Sequence, residues 1–447
     1  MTLRHCVRFG SHNEQEFITG DLSSTYDGLA YNANLVAWSA TGIAGFVTGK
    51  GLYNREFVID PLTHAFQHNL SALTNSEGKV KPSIGKMVEA YGSPIAGAIN
   101  DEKRPVSADD FRSDQVRRGF VERVLAFQTE TLNREVRESD ATKYLDYIHG
   151  TEISLRPARV ICPYFAMTDD TIDDWLGTNI ALARAGLDLH PDAAVQVVLG
   201  RQVLVNESKL REITRRYRDD VGARTYFVWI DGFAEHEAAL VELRAFLALV
   251  RQLGRQGAEV RNHYGGYFST MLMHEDVNLL EGVCHGPQYG EDRELRPVGG
   301  GLPTAKFYVR RLHHRVRFRE ALRLLRSKGW LSSAQAYLEN VCNCPKCREL
   351  IAEYGPDEGF ARYGVTQPLV FQRGGRTVTA EYATRESLVN AAHHYMYAKQ
   401  WEHEVLQAKG IAEIRRELRE AAEDLGRRLG SSDVAYLRRW DFILEEF

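Results

Sequence analysis

The chain alternates short, almost wholly apolar runs with longer charged stretches. Arg159-Val-Ile-Cys-Pro-Tyr-Phe, Ala194-Val-Gln-Val-Val-Leu-Gly, Thr225-Tyr-Phe-Val-Trp-Ile-Asp231-Gly, Glu259-Val-Arg-Asn-His-Tyr-Gly-Gly and Leu280-Glu-Gly-Val-Cys-His285-Gly read as strands. Between and after them, 170–185, 208–220, 235–255 and the short 274–280 read as helices, the first with acidic residues in its opening turn. Upstream, Gly42-Ile-Ala-Gly-Phe-Val-Thr-Gly and Arg55-Glu-Phe-Val-Ile-Asp60-Pro read as buried strands, and 107–148 is helical and strongly charged. Strands that are apolar on both faces, separated by helices, predict a parallel sheet covered on both sides. An eight-fold (β/α)8 barrel over 1–330 is the leading architecture, and a doubly wound open sheet is the second. In a barrel the chemistry sits where the strands end. Those ends carry Asp60, Tyr164, residues 196–202, Asp231, His263–Gly266 and 285–292.

A length of 447 residues with 44% hydrophobic content allows two or three units or one large barrel with an appendage. A net charge of −4 excludes a globally basic protein, so any nucleic-acid contact must be a local patch. The patch is between 304 and 328. There Lys306, Arg310, Arg311, Arg315, Arg317, Arg319, Arg323, Arg326 and Lys328 face Glu320 alone, with Phe307 and Tyr308 interleaved. The alternative is a solvated helix paired to acids elsewhere. No apolar run reaches about 18 residues and no secretory leader pattern is present, so no membrane contact is expected. Cysteines without a disulfide framework point to a reducing cytoplasm.

Asp60 follows Phe-Val-Ile and precedes Pro-Leu-Thr-His-Ala-Phe-Gln67; it is either a cleft carboxylate or a helix N-cap. Asp231 ends an apolar strand, as a desolvated acid or an Asp-Gly turn. Tyr264, Gly265 and Gly266 put a glycine pair among aromatics, which suits a planar base or a tight turn. The loop His285-Gly-Pro-Gln-Tyr-Gly-Glu291-Asp292-Arg293, continued by Pro297-Val-Gly-Gly-Gly301, lacks the spacing of a phosphate-binding P-loop.

The sharpest motif is Cys342-Asn-Cys344-Pro-Lys-Cys347. Thiolates this close repel one another unless a soft cation neutralises them, and Zn²⁺ is the usual one. His393, His394 and His403 are the candidate fourth ligands. Three thiolates and one imidazole make a closed, structural site.

Taken in order, these residues resemble the tRNA-guanine transglycosylase superfamily, loosely over about 40–405. That family is a (β/α)8 barrel with a small zinc subdomain, so the resemblance implies a zinc-binding, mostly helical unit over 331–447. Its zinc motif is C-x-C-x-x-C followed by a histidine in a helical context, which favours His393 beside Cys342, Cys344 and Cys347. Ile59-Asp60-Pro-Leu-Thr-His-Ala-Phe66-Gln67 stands where the family has T-D-S-G-G-F-Q. Trp229-Ile-Asp231-Gly-Phe looks like the base-contacting strand end. The family's nucleophilic Asp is missing near Val283-Cys-His285-Gly-Pro-Gln, and its guanine-reading Asp is missing near Cys162-Pro-Tyr-Phe165. The chain therefore looks more like the divergent branch that inserts 7-deazaguanine derivatives into DNA, for which a separate ATPase partner is implied.

The resemblance implies exchange of a guanine for a 7-deazaguanine such as preQ0, in DNA rather than tRNA, through a carboxylate glycosyl-enzyme. Asp60 is the central carboxylate, as nucleophile or base, and Asp231 the second, as nucleophile or reader of the base. Gln202, His263, Tyr264, Gly265, Gly266, His285, Glu291 and Asp292 are expected to line the pocket, and Lys306, Arg310, Arg311 and Arg315 to hold phosphates.

Overall fold

The computed structural model describes residues 4–75, 77–138, 154–288, 290–295, 304–373 and 376–447. The glycine-rich part of the 285–301 loop from 296 onward, and the end of the charged stretch from 139, lie outside these residues.

Seven parallel strands form one curled half-barrel sheet. They are β1 (His5–Phe9), β2 (Gly28–Asn32), β3 (Glu56–Asp60), β4 (Val195–Leu199), β5 (Thr225–Ile230), β6 (Glu259–Asn262) and β7 (Gly282–His285). Their order is β3-β2-β1-β7-β6-β5-β4. All six pairings are parallel, with Asn32 opposite Asp60 and Cys6 opposite Cys284. The inner face buries Cys6, Ala30, Val58, Val198, Phe227, Trp229 and Cys284. The outer face buries the alternate residues under helices. Burial on both faces is why the strands are apolar throughout.

The expected strand at 159–165 is only an extended segment. Cys162 N donates to Ala194 O (2.9 Å) and Met167 N to Val198 O (3.0 Å), beside β4, while Ala158 N donates to Phe57 O of β3 (2.8 Å). The ladder is broken because Pro163 has no N–H to give, and side chains claim the next two amides. Tyr164 N donates to Thr63 Oγ1 (2.9 Å) and Phe165 N to Asn179 Oδ1 (2.8 Å).

The helices include α1 (Ala33–Gly49), α2 (Pro82–Tyr91), α3 (Asp114–Glu138), α4 (Ile172–Leu189), α5 (Glu207–Arg216), α6 (Leu240–Leu253) and α7 (Tyr267–Met271). Gly42–Gly49, expected as a strand, is the second half of α1, where Ile43, Ala44 and Val47 are buried at helical spacing. Burial of that stripe outweighs the helix cost of its three glycines. The expected short helix at 274–280 forms instead at α7; 274–280 is a turn, with Val277 N and Asn278 N both on His274 O.

Beyond the sheet come a hairpin, β8 (Lys306–Val309) and β9 (His314–Arg317), then α8 (Phe318–Ser327) and α9 (Pro345–Tyr354). A second hairpin follows, β10 (Thr366–Arg373) with β11 (Arg376–Ala383). The chain ends in α10 (Arg385–Ala408), α11 (Ile411–Leu429) and α12 (Ala435–Leu444). These last helices share one core with the sheet. Tyr436 Oη donates to Leu312 O (2.6 Å), and His274 Nε2 is 2.8 Å from Lys409 O.

Candidate functional site

Asp60 is the last residue of β3 and is fully buried. Tyr164 Oη and Leu62 N donate to its Oδ1 at 2.6 and 3.2 Å. Both terminal nitrogens of Arg8 stand 3.5 Å from Oδ2, and Arg8 also donates to Asn32 Oδ1. His263 Nε2 is 3.3 Å from Oδ2. Arg8, Asn32 and His263 come from the C-terminal ends of β1, β2 and β6, where parallel sheets place their ligands.

Burial pushes the Asp60 carboxyl up, but His263, Arg8 and Tyr164 outweigh it and hold the group well below the usual carboxylate range. Burial, then the Arg8 charge, pushes His263 down to about 4. At neutral pH the pair is therefore a carboxylate beside a neutral imidazole. Such a carboxylate is a poor base at pH 7 but a competent nucleophile or stabiliser of positive charge.

Aromatic rings crowd the same place. The Arg8 guanidinium lies 4.1 Å over the Tyr264 ring. His64 stacks on Tyr164 (5.5 Å between centroids) and meets Trp229 edge-on (4.7 Å). Arg293 Nη1 donates to Tyr264 Oη (2.8 Å), and Trp229 Nε1 donates to Arg293 O (3.0 Å). Asp231 receives Leu295 N (2.7 Å), so it anchors the loop that carries Arg293 over this end of the sheet. Both amide atoms of buried Gln196 lack a hydrogen-bond partner.

Of the residues read from the sequence, Asp60, His263 and Tyr264 meet directly, and Asp231 joins them through the 293–295 loop. Gln202 does not: it is exposed just after Arg201, and the inward amide is Gln196. His285 points to the other face of the sheet, with its Nε2 2.5 Å from His5 Nε2 and its ring edge-on to Tyr395. The two glycines are packed against protein. A Cβ on Gly265 would meet Asn262 Nδ2 at 2.7 Å; one on Gly266 would meet Glu291 Oε2 at 2.6 Å and Glu235 Oε2 at 3.0 Å. Glu291 is held by Lys399 (2.5 Å) and Tyr395 Oη (3.2 Å), and Asp292 is exposed.

Arg8 and Glu235 were not legible as site residues. Arg8 is one charge in a short strand whose period-two alternation turns it inward. Glu235 lies in a loop, yet it is buried and accepts from Ser269 N and Oγ. Burial, with Glu291 adding to it, pushes the Glu235 carboxyl up to about 7. The raised value means that its proton stabilises the fold below about pH 4.5 and that this contribution is lost as pH rises through 7. Glu235→Gln is expected to raise stability at pH 8 by up to about 3 kcal/mol and to lose that advantage below about pH 4.5. Denaturant midpoints across pH measure this; an unchanged midpoint at pH 8 counts against it.

The second centre is built on α9 and α10. Cys342, Cys344, Cys347 and His394 are all buried, and their ligand atoms lie within 4.8 Å of one another. His394 Nδ1 is 3.8 Å from Cys344 Sγ and 3.5 Å from Cys347 Sγ. A tetrahedral Zn²⁺ with Zn–S of about 2.3 Å separates its ligands by about 3.8 Å, so the four residues fit that ion. The His394 Nε2 lies 2.7 Å from Tyr308 O, which fixes Nδ1 as the free ligand atom, and the ring stacks on Phe307 at 4.2 Å. Cys344 N and Cys347 N point at the sulfurs of Cys342 and Cys344, each at 3.4 Å. His393, the expected ligand, is one residue out of phase: on a helix it faces about 100° away from His394, outside the cluster. His403, two turns and more further on, stacks on His5 instead.

The basic segment is largely spent inside the protein. Arg315 donates to the carbonyls of Gly286, Pro287 and Gln288 and stacks on Tyr395 at 3.6 Å. Arg310 stacks on Trp401 at 3.4 Å and reaches Cys342 Sγ at 3.9 Å. Arg311 pairs with Asp424 (3.0 Å). Lys306, Arg317, Arg319 and Arg323 remain exposed.

No protein-family model and no curated protein matches this chain. Among the described residues, no helix is long and apolar enough to cross a membrane.

Proposed function

We propose that this protein exchanges a guanine in a nucleic acid, DNA in preference to tRNA, for a 7-deazaguanine base. The observation that carries the reading is the buried Asp60 carboxylate at the C-terminal end of a parallel sheet, ringed by Arg8, His263 and aromatic side chains. The 158–167 segment, bonded to β3 and β4, is read as the eighth stave of a closed barrel.

In this mechanism the base is flipped out of its stack and lies among the rings of Tyr164, Trp229 and Tyr264. Asp60 attacks C1′ of the target nucleoside, the C1′–N9 bond breaks, and guanine leaves with the bonding pair and takes up a proton. The incoming deazaguanine then attacks the same carbon, gives up its N9 proton and returns the carboxylate. Two displacements retain the β configuration. Tyr164 and Arg8 keep Asp60 ionised, and Asp231 holds the loop that closes over it. Cys342, Cys344, Cys347 and His394 would hold Zn²⁺, which supplies structural cross-linking of the appended helices. Lys306, Arg317, Arg319 and Arg323 are exposed cations for phosphate contact. The described cysteines, none of them in a disulfide, favour a reducing cytoplasm.

Nucleosides from DNA and tRNA of cells with and without the protein, compared by mass spectrometry, test this reading. A deazaguanine deoxynucleoside present only with the protein is expected. A modified ribonucleoside in its place moves the target to tRNA, and no difference in either polymer removes the proposal.

A further inference from the structure

The outer surface of the sheet carries a groove of about 850 Å³ that the Asp60 chemistry does not use. It runs between α5 and α6, with Arg201–Val205 at one end. α6 is apolar on two sides. Leu243, Phe246, Leu247 and Val250 bury one stripe against the sheet. Val241, Ala245 and Ala248, at i, i+4 and i+7, form a second stripe that lines the groove, and Val241 is 59% exposed. The opposite wall is cationic: Arg211, Arg215 and Arg218 repeat at the same spacing. Arg244 and Arg255 complete the rim, and Glu207 is the one acid among the described lining residues. Arg218 pairs with Asp219 (2.7 Å) and Arg244 with Glu446 (3.6 Å) beside the groove, while Arg211, Arg215 and Arg255 are exposed outside those pairs. Phe442, 45% exposed, extends the apolar surface under the Arg244 guanidinium (5.2 Å).

We propose that this groove docks an acidic amphipathic helix of a partner protein. Leucine-type side chains of that helix at i, i+4 and i+7 would pack on Val241, Ala245 and Ala248, and flanking Asp and Glu would meet Arg211 and Arg215. The charge complementarity selects an acidic occupant. The apolar floor selects a protein over a nucleic acid, because valine and alanine give a phosphodiester nothing and, among the described lining residues, no aromatic is there for a base to stack on. The inference is independent of the base-exchange reading, since the groove lies on helices outside the sheet.

The test uses the full chain and fluorescent synthetic helices with leucines at i, i+4, i+7 and i+11. One is flanked by glutamates and the other by lysines; a single-stranded oligodeoxynucleotide is the third probe. The glutamate helix is expected to bind, more weakly as salt rises, and to lose about tenfold or more in affinity to Val241→Glu and to the Arg211→Glu/Arg215→Glu double variant. The lysine helix is expected not to bind. Circular dichroism of both variants should match the parent, because all three positions are exposed. Equal binding of the two helices, indifference to both variants, or displacement of the glutamate helix by the oligonucleotide overturns the proposal. So does a dimer in light scattering that Val241→Glu dissolves, since the groove is then filled by a second copy.

Discussion

His394→Ala should strip the protein of its metal, while His393→Ala should leave about one equivalent of zinc in place. The two residues are adjacent, so the contrast isolates geometry from composition. Only His394 has Nδ1 within 3.8 Å of two cysteine sulfurs, with its other nitrogen tied to Tyr308 O. Structural zinc contributes about 10–16 kcal/mol of apparent binding free energy to folding, comparable with the whole stability of an ordinary domain. Losing one of four ligands should therefore unfold α9 and the adjoining turn of α10 rather than trim local chemistry. Cys344→Ser should do the same, because its sulfur also accepts the Cys347 amide as the N-cap of α9. Metal content by mass spectrometry and far-ultraviolet circular dichroism measure both effects. A His394→Ala protein that keeps its zinc and its helicity counts against the assignment.

Asp60→Asn should abolish base exchange, by roughly 10⁴-fold or more, which is the cost of removing a covalent nucleophile. Both Asp60→Asn and Asp60→Ala leave buried Arg8 without its counter-charge, at a folding cost of about 3–5 kcal/mol, and Asp60→Ala also loses the oxygen that accepts from Tyr164 Oη and Leu62 N. The isosteric amide can still accept from Tyr164 and Leu62 N, so loss of exchange in an Asp60→Asn protein whose circular dichroism matches the parent reports the chemical role. Asp231→Asn should be milder than Asp60→Asn, since its shown contact is one backbone amide on the loop above the site. Equal losses at both positions would reassign the nucleophile.

Much of this was legible in the sequence where a short-range rule applied. β3 to β7 announce themselves as runs apolar on both faces, whereas β1 and β2 were not read as strands, because His5, Arg8 and Asn32 interrupt their short apolar runs. C-x-C-x-x-C fixes three ligands because their spacing leaves the thiolates little alternative. What was not legible depends on phase or on distant partners. His393 and His394 differ by one helical step, and no local pattern reports which side of α10 faces Cys344. Gly42–Gly49 is a short apolar run that fits either period until burial decides. Arg310, Arg311 and Arg315 look like a phosphate-binding face only while Trp401, Asp424, the 286–288 carbonyls and Tyr395 are out of view. Asp60 was found because a strand-end acid is visible locally. Arg8, which sets its charge state, sits 52 residues away along the chain.

In the proposed reaction Asp60 forms the glycosyl bond. Denaturing a reaction of protein with guanine-containing DNA and mapping any protein–DNA adduct by peptide mass spectrometry tests it directly. An adduct is expected on the peptide that contains Asp60, absent from Asp60→Asn and discharged by added 7-deazaguanine. An adduct on a peptide without Asp60, or exchange that proceeds undiminished in Asp60→Asn, contradicts it.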